Sequence, residues 1–146
     1  MNNQPLVFER VYKAPIERVW KAITDKNEMK EWYFDLNDFK LEVGFQFEFI
    51  GCDKDSTKKF VHKCEITEVI PGKKLTYSWR YDGYPGNSFV TFELVKKDEN
   101  GTLLRLTHRG LETFPMDTLD FAKNNFVEGW NKILGNDLTN YLAKTE

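Results

Sequence analysis

The sequence predicts an α+β domain: a curved antiparallel sheet of about six strands wrapped around one long C-terminal helix, with two short helices after the first strand. Three observations carry this. From Thr118 to Ala143, Leu119, Ala122, Phe126, Trp130, Ile133, Leu134, Leu138 and Tyr141 recur at steps of three and four, the period of a helix with one apolar face. At ~1.5 Å per residue that helix would be roughly 39 Å long. Most of what precedes it alternates at period two, with turn residues between the runs. Helices collected at the two ends of a series of hairpins indicate α+β architecture rather than a doubly wound sheet.

Taken in order, Leu6 to Tyr12 is a first strand, with Val7, Glu9 and Val11 on one face and Phe8, Arg10 and Tyr12 on the other. Pro15 ends it, lacking a ladder donor but suiting a helix start. Ile16, Val19, Trp20 and Ile23 then step at helical spacing to Thr24 or Asp25, and a second short helix runs from Lys26 to about Trp32, with Met29 and Trp32 apolar. Tyr33 to Asp38 has no period and reads as a loop or short edge segment. Phe45, Phe47 and Phe49 alternate with Gln46, Glu48 and Ile50 as a half-buried strand, and polar Gly51 to Lys59 as a hairpin loop. Phe60, His62, Cys64 and Ile66 share the inward face of a long strand ending at Pro71-Gly72, a turn signal. Leu75, Tyr77 and Trp79 form the next inward face, Tyr81 to Asn87 a loop, and Val90, Phe92 and Leu94 another inward face. Asn100-Gly101 marks a hairpin, with Asp98 and Glu99 open to inclusion in the turn. Leu104, Leu106 and His108 face inward on the last strand.

Composition narrows function by exclusion. A length of 146 residues reads as one domain, residues 1–146, and a net charge of −2 lacks the clustered cations of a nucleic-acid footprint. No apolar run reaches the ~20 residues of a membrane span. The start Met-Asn-Asn-Gln-Pro carries no signal-peptide pattern, and two cysteines make no disulfide framework, so a reducing cytoplasm is expected. Cys52, Cys64 and His62 lack zinc spacing, and no metal or other cofactor is expected. No Gly-x-Ser-x-Gly elbow or Cys–His–Asn pattern points to nucleophilic catalysis.

Aromatic residues make up 15% of the chain, twelve of them Phe. That load on few facing elements either packs solidly or encloses an apolar cavity. The candidate lining is Trp32 and Phe34 as a wall or lid, Phe45, Phe47, Trp79 and Phe92 on the sheet, and Phe126 and Trp130 on the helix. His62, Tyr77 and His108 are the inward polar groups, suited to orienting a ligand or, alternatively, to acid–base work.

The chain also resembles a known superfamily. The motifs are Val11-Tyr12-Lys13-Ala14-Pro15-Ile16-Glu17-Arg18-Val19-Trp20, Met29 with Trp32, Val43-Gly44-Phe45-Gln46-Phe47, Glu65-Ile66-Thr67-Glu68-Val69-Ile70-Pro71, Leu75-Thr76-Tyr77-Ser78-Trp79, Leu104-Arg105-Leu106-Thr107-His108-Arg109-Gly110 and Gly129-Trp130. Together, in this order, they are similar to the START-like helix-grip domains, and within them to the group named for the activator of the ninety-kilodalton heat-shock protein ATPase. The resemblance implies a deep cavity between sheet and C-terminal helix and apolar or amphipathic ligands. It implies no single activity, because relatives include lipid or hormone binders, polyketide cyclases and chaperone partners. The expectation is a binding module for a hydrophobic small molecule, monomeric or homodimeric. The alternatives are a cyclase- or hydrolase-like enzyme using the inward His and Tyr, and a chaperone-associated interaction domain.

Overall fold

The computed structural model describes residues 5–52, 59–114 and 123–144. The elements are β1 (Leu6–Tyr12), α1 (Ile16–Thr24), α2 (Lys26–Trp32), β2 (Gln46–Cys52), β3 (Lys59–Ile70), β4 (Lys74–Tyr81), β5 (Ser88–Asp98) and β6 (Gly101–Arg109). A 3₁₀ turn (Leu111–Thr113) follows, then the C-terminal helix in three stretches: α3 (Lys123–Lys132), a π segment (Ile133–Leu138) and α4 (Thr139–Lys144). The expected helical residues 118–122 lie outside the described residues.

The six strands form one curved antiparallel sheet in the order β1-β6-β5-β4-β3-β2, the α+β helix-grip arrangement. Period-two alternation is obeyed along β3, where Phe60, His62, Cys64 and Ile66 are buried. A bulge between Ile66 and Glu68 then changes the inward phase, so that Val69 pairs with Leu75 and packs on the core. An extra residue in one strand bends it and increases twist, which is how the sheet acquires a concave face. The β5–β6 hairpin closes at Asp98 and Gly101, so its turn is Glu99-Asn100. β4 runs through Tyr81, where the sequence pattern predicts a loop, because Tyr81 pairs with His62 and is buried. Gly110 ends β6 at φ 88, and a Cβ there would lie 2.9 Å from the Asn87 carbonyl. Only glycine allows the β6 end to close on the start of β5.

Phe126, Trp130, Leu134, Leu138 and Leu142 form the buried stripe of the C-terminal helix, all at steps of four. In an α-helix four residues advance about 400°, so such a stripe drifts about 40° per step. The wider π turn over Ile133–Leu138 absorbs that drift and carries Leu142 inward, leaving Tyr141 half-buried. Its cause is visible. The Leu134 carbonyl accepts from the Tyr12 hydroxyl on β1 at 2.8 Å and from the Thr139 hydroxyl at 3.1 Å. A π-bulge is expected where side chains take over a carbonyl of the helical ladder.

The two short helices close one side. Asp25 caps α2, accepting from the Asn27 and Glu28 amides. Arg18 of α1 pairs with Glu28 at 2.6 Å, and the Tyr141 hydroxyl donates to the same carboxylate at 2.9 Å, which ties both helices to the C-terminal helix.

Candidate functional site

Between the concave sheet and the C-terminal helix lies a continuous set of rings. Trp79 of β4 sits at its centre, 5.5 Å from the Trp130 ring across the groove and 5.5 Å from Phe49 on β2. Phe92 lies 6.3 Å from Trp130, and Phe47 5.1 Å from Tyr77. Tyr33 stacks on Trp130 at 6.3 Å, and Phe34 stacks on Phe49 at 4.3 Å with 20° between planes. Most are edge-to-face or offset pairs, each worth about 0.5–1.5 kcal/mol beyond the area it buries. Among the described residues these rings pack on one another.

Each polar group that faces this interior has a partner, and no buried side-chain nitrogen or oxygen among the described residues lacks one. The His108 ring is fixed by a chain of three hydrogen bonds. The Ser88 hydroxyl donates its one proton to the Trp79 carbonyl at 2.7 Å. Its 2.7 Å contact with His108 Nε2 must therefore have the imidazole as donor. His108 Nδ1 is left as acceptor and takes the Trp130 indole N–H at 3.0 Å. This is the reverse of a serine nucleophile, in which the imidazole would accept from the hydroxyl. Burial lowers the His108 pKa to about 3, because a charged ring there would lose its water.

His62 is a different case. Its ring lies against Phe49 at 4.5 Å, nearly parallel, with Trp79 edge-on at 4.9 Å. Its Nδ1 lies 3.0 Å from the Phe60 carbonyl. Desolvation lowers its pKa to about 4, outweighing the backbone bonds to Phe60 and Phe49. A Cβ at Gly51 would lie 2.7 Å from His62 Cε1, so glycine makes room for this ring. The two histidines are not a pair, since the Trp79 indole touches both and stands between them.

The hydroxyls of Tyr33 and Tyr77 meet at 2.6 Å. Burial raises the pKa of each, and of the nearby Cys64 thiol, well above the ordinary values. Trp79 donates its indole N–H to the Tyr81 hydroxyl at 2.8 Å. At neutral pH every group in this interior is uncharged.

The expected site residues thus divide. Phe47, His62, Tyr77, Trp79, Phe92, His108, Phe126 and Trp130 are buried and inward. Phe34 is half-buried on the loop after α2, and Phe45 is half-buried just before β2. Trp32 is buried against α1, its indole N–H spent on the Ala22 carbonyl at 2.9 Å, so it holds the two short helices together. Sequence reasoning missed Tyr33, Phe49, Tyr81 and Ser88 as members of the cluster. For Ser88 a signal existed, since it continues the inward alternation of Val90 and Phe92; for Tyr33, in an aperiodic loop, none did.

A surface cleft of about 830 Å³ is lined by Lys13, Asp98, Glu99 and Asn100, at the β5–β6 turn and away from these rings. A second, of about 630 Å³, lies where the loop after α2 meets the β2 edge, with Asp35, Leu36, Asn37, Glu48 and Phe49 in its wall. No three His, Cys, Asp or Glu among the described residues are placed to hold a metal. No described helix is long and apolar enough to cross a membrane.

The comparisons with known proteins agree with the fold. Protein CV1439 from Chromobacterium violaceum superposes with a TM-score of 0.78 at 24% identity, over 96% of each chain. Protein MLL2253 from Mesorhizobium loti gives 0.74 at 29% identity, over 98% of this chain and 99% of the other. CalU16 from Micromonospora echinospora gives 0.71 at 26%, over 94% of this chain and 73% of the other. No curated protein matches the chain significantly. The family described as "Activator of Hsp90 ATPase homolog 1-like protein" matches residues 13–143, and the chain belongs to that family.

Proposed function

We propose that this protein binds an apolar or amphipathic small molecule between its sheet and its C-terminal helix. One observation carries the reading. Rings from the loop after α2, from β2, β3 and β4, and from α3 converge on one uncharged cluster, with Trp79 touching Phe34, Phe49, His62 and Trp130. A core needing only bulk is served by aliphatic side chains; flat rings with bonded hydroxyls and indoles suit recognition of an apolar body. Family membership supports the same reading. The buried free thiol of Cys64 fits a reducing cytoplasm as the place of encounter.

The polar groups act by position rather than by proton transfer. His108, held by Ser88, orients the Trp130 indole, and the Tyr81 hydroxyl accepts the indole N–H of Trp79, which faces Trp130 across the groove. The Tyr33 and Tyr77 hydroxyls, bonded to each other, are further polar groups of this interior.

The test is thermal melting and intrinsic tryptophan emission against fatty acids, sterols, flavonoids and small aromatic acids. A ligand at 100 times its Kd adds roughly 2.7 kcal/mol of stability. A saturable rise in Tm with one chemical class, together with an emission change, is the expected result. A flat response to every class contradicts the reading and favours a protein partner.

A further inference from the structure

The sheet has two edge strands, β2 and β1, and they are finished differently. On β2 the Glu48 amide and carbonyl are both taken by Asn37, from the loop after α2. On β1 the phase of the ladder can be followed strand by strand. The Leu94 amide donates to the Lys73 carbonyl at 2.8 Å, so the even residues of β5 turn their backbone groups to β4 and the odd ones to β6. The β5–β6 register then turns the odd residues of β6 to β5 and the even ones to β1. On β1 the even residues from Leu6 to Tyr12 therefore hold β6, and Val7, Glu9 and Val11 present their amides and carbonyls along the free edge. In the same phase, the Glu9 carbonyl accepts from the Arg10 guanidinium at 2.9 Å. Among the described residues no other backbone group pairs with Val7, Glu9 or Val11 on that side.

An edge of this kind is a template for another strand. We infer that it pairs with a second copy of this chain, β1 against β1 about a two-fold axis through Glu9, joining the two sheets into one. The register follows from the strand itself. Centred on Glu9, Leu6–Tyr12 overlaps its copy along its whole length. Odd residues then meet odd residues, so the amides and carbonyls of Val7, Glu9 and Val11 face those of the partner's Val11, the partner's Glu9 and the partner's Val7. On the outer face Val7, 53% exposed, lies opposite the partner's Val11, and Val11, 62% exposed, opposite the partner's Val7. Both are β-branched cross-strand pairs that take apolar surface out of water. On the inner face the half-buried Phe8 lies opposite the partner's Arg10, a cation beside an aromatic ring.

Two features that deter a foreign strand suit this one. A charged residue on the inward face of an edge strand, as Arg10 is, works against unrelated pairing, whereas in the self-pairing it meets a ring. Its bond to the Glu9 carbonyl is kept, because that oxygen has a second lone pair for the amide of the partner's Glu9. At the axis the two Glu9 side chains come together, which by itself opposes pairing. Each is already bonded to Arg105 of its own chain at 2.7 Å, so the two carboxylates meet with their charges compensated.

Sedimentation velocity of the full chain over about 1–500 μM tests the pairing. The expected result is a monomer–dimer equilibrium for the wild type. Val11→Pro removes a donor that β6 does not use, so the monomer keeps its sheet while the dimer is lost at every concentration, with the far-ultraviolet circular dichroism unchanged. If Val11→Pro does not fold, Val7→Lys, whose side chain replaces an outer-face valine, should weaken the dimer about tenfold or more. The register is read by disulfide formation under mild oxidation. Glu9→Cys, self-paired at a Cα separation of about 5.5 Å, should give a covalent dimer, and Val7→Cys, with the same native cysteines, should not. A wild type that stays monomeric throughout, or a dimer undiminished by Val11→Pro and Val7→Lys, overturns the inference. Cross-linking of Val7→Cys as readily as Glu9→Cys overturns the register.

Discussion

Acidification should destabilise this protein through its two buried histidines. The perturbation is a shift from pH 7.0 to 5.5, a window in which ordinary carboxylates scarcely titrate. Unfolded, each ring takes its proton near the usual 6.5; folded, burial holds His62 at about 4 and His108 at about 3. Both folded values are depressed, so the unfolded chain binds more protons and stability falls as pH falls. The contribution is fully present above pH 6.5 and is lost progressively down to the folded values. From pH 7.0 to 5.5 each histidine loses about 1.2 kcal/mol, about 2.5 together, and about 4 by pH 5.0. Against a typical total of about 5–15 kcal/mol that is a large share. Urea unfolding at pH 7.0, 6.0 and 5.5 measures the slope, with the histidine Cε1–H resonances followed in the folded protein. A flat stability over this window, or either resonance titrating near 6.5, would refute the chain Trp130–His108–Ser88–Trp79 and the burial of His62.

Two further outcomes follow from single contacts. Tyr33→Phe and Tyr77→Phe each orphan the other hydroxyl and should cost about 1–3 kcal/mol, whereas the double variant should cost less than their sum, because no hydroxyl is left unpaired. Additive losses in urea unfolding would mean the 2.6 Å bond is not made. Gly51→Ala should cost about 1–3 kcal/mol, since the new methyl meets His62 Cε1 at 2.7 Å and that ring is held by Phe49 and Phe60. An unchanged Tm would show that His62 is free to retreat.

Much of the fold was legible because period-two alternation is a local property. His62 and Cys64, or Leu104, Leu106 and His108, declare one face without reference to any neighbour. From Lys123 on, the C-terminal helix was legible as a helix but not in phase. Its π segment depends on Tyr12, far away in sequence, taking the Leu134 carbonyl. The β3 bulge was likewise hidden, because one unpaired residue leaves no compositional mark beside Glu68 and Val69. The site was partly legible. Inward His108 could be placed, but its partner Trp130 lies on another element, and Ser88, just after the loop predicted from Tyr81 to Asn87, was not read as inward. Tyr33 joins the cluster only through the path of an irregular loop, which no periodicity encodes.

The central claim is that the ring cluster is a binding surface, and the most direct measurement is the four tryptophan indole N–H resonances during titration with a ligand that raises Tm. Trp79 and Trp130 face the groove, Trp32 is bonded to Ala22 behind it, and Trp20 lies half-buried on α1. The account predicts saturable shifts for Trp79 and Trp130, with Trp20 and Trp32 nearly still. Shifts confined to Trp20 or Trp32 would place the ligand outside the groove and contradict it.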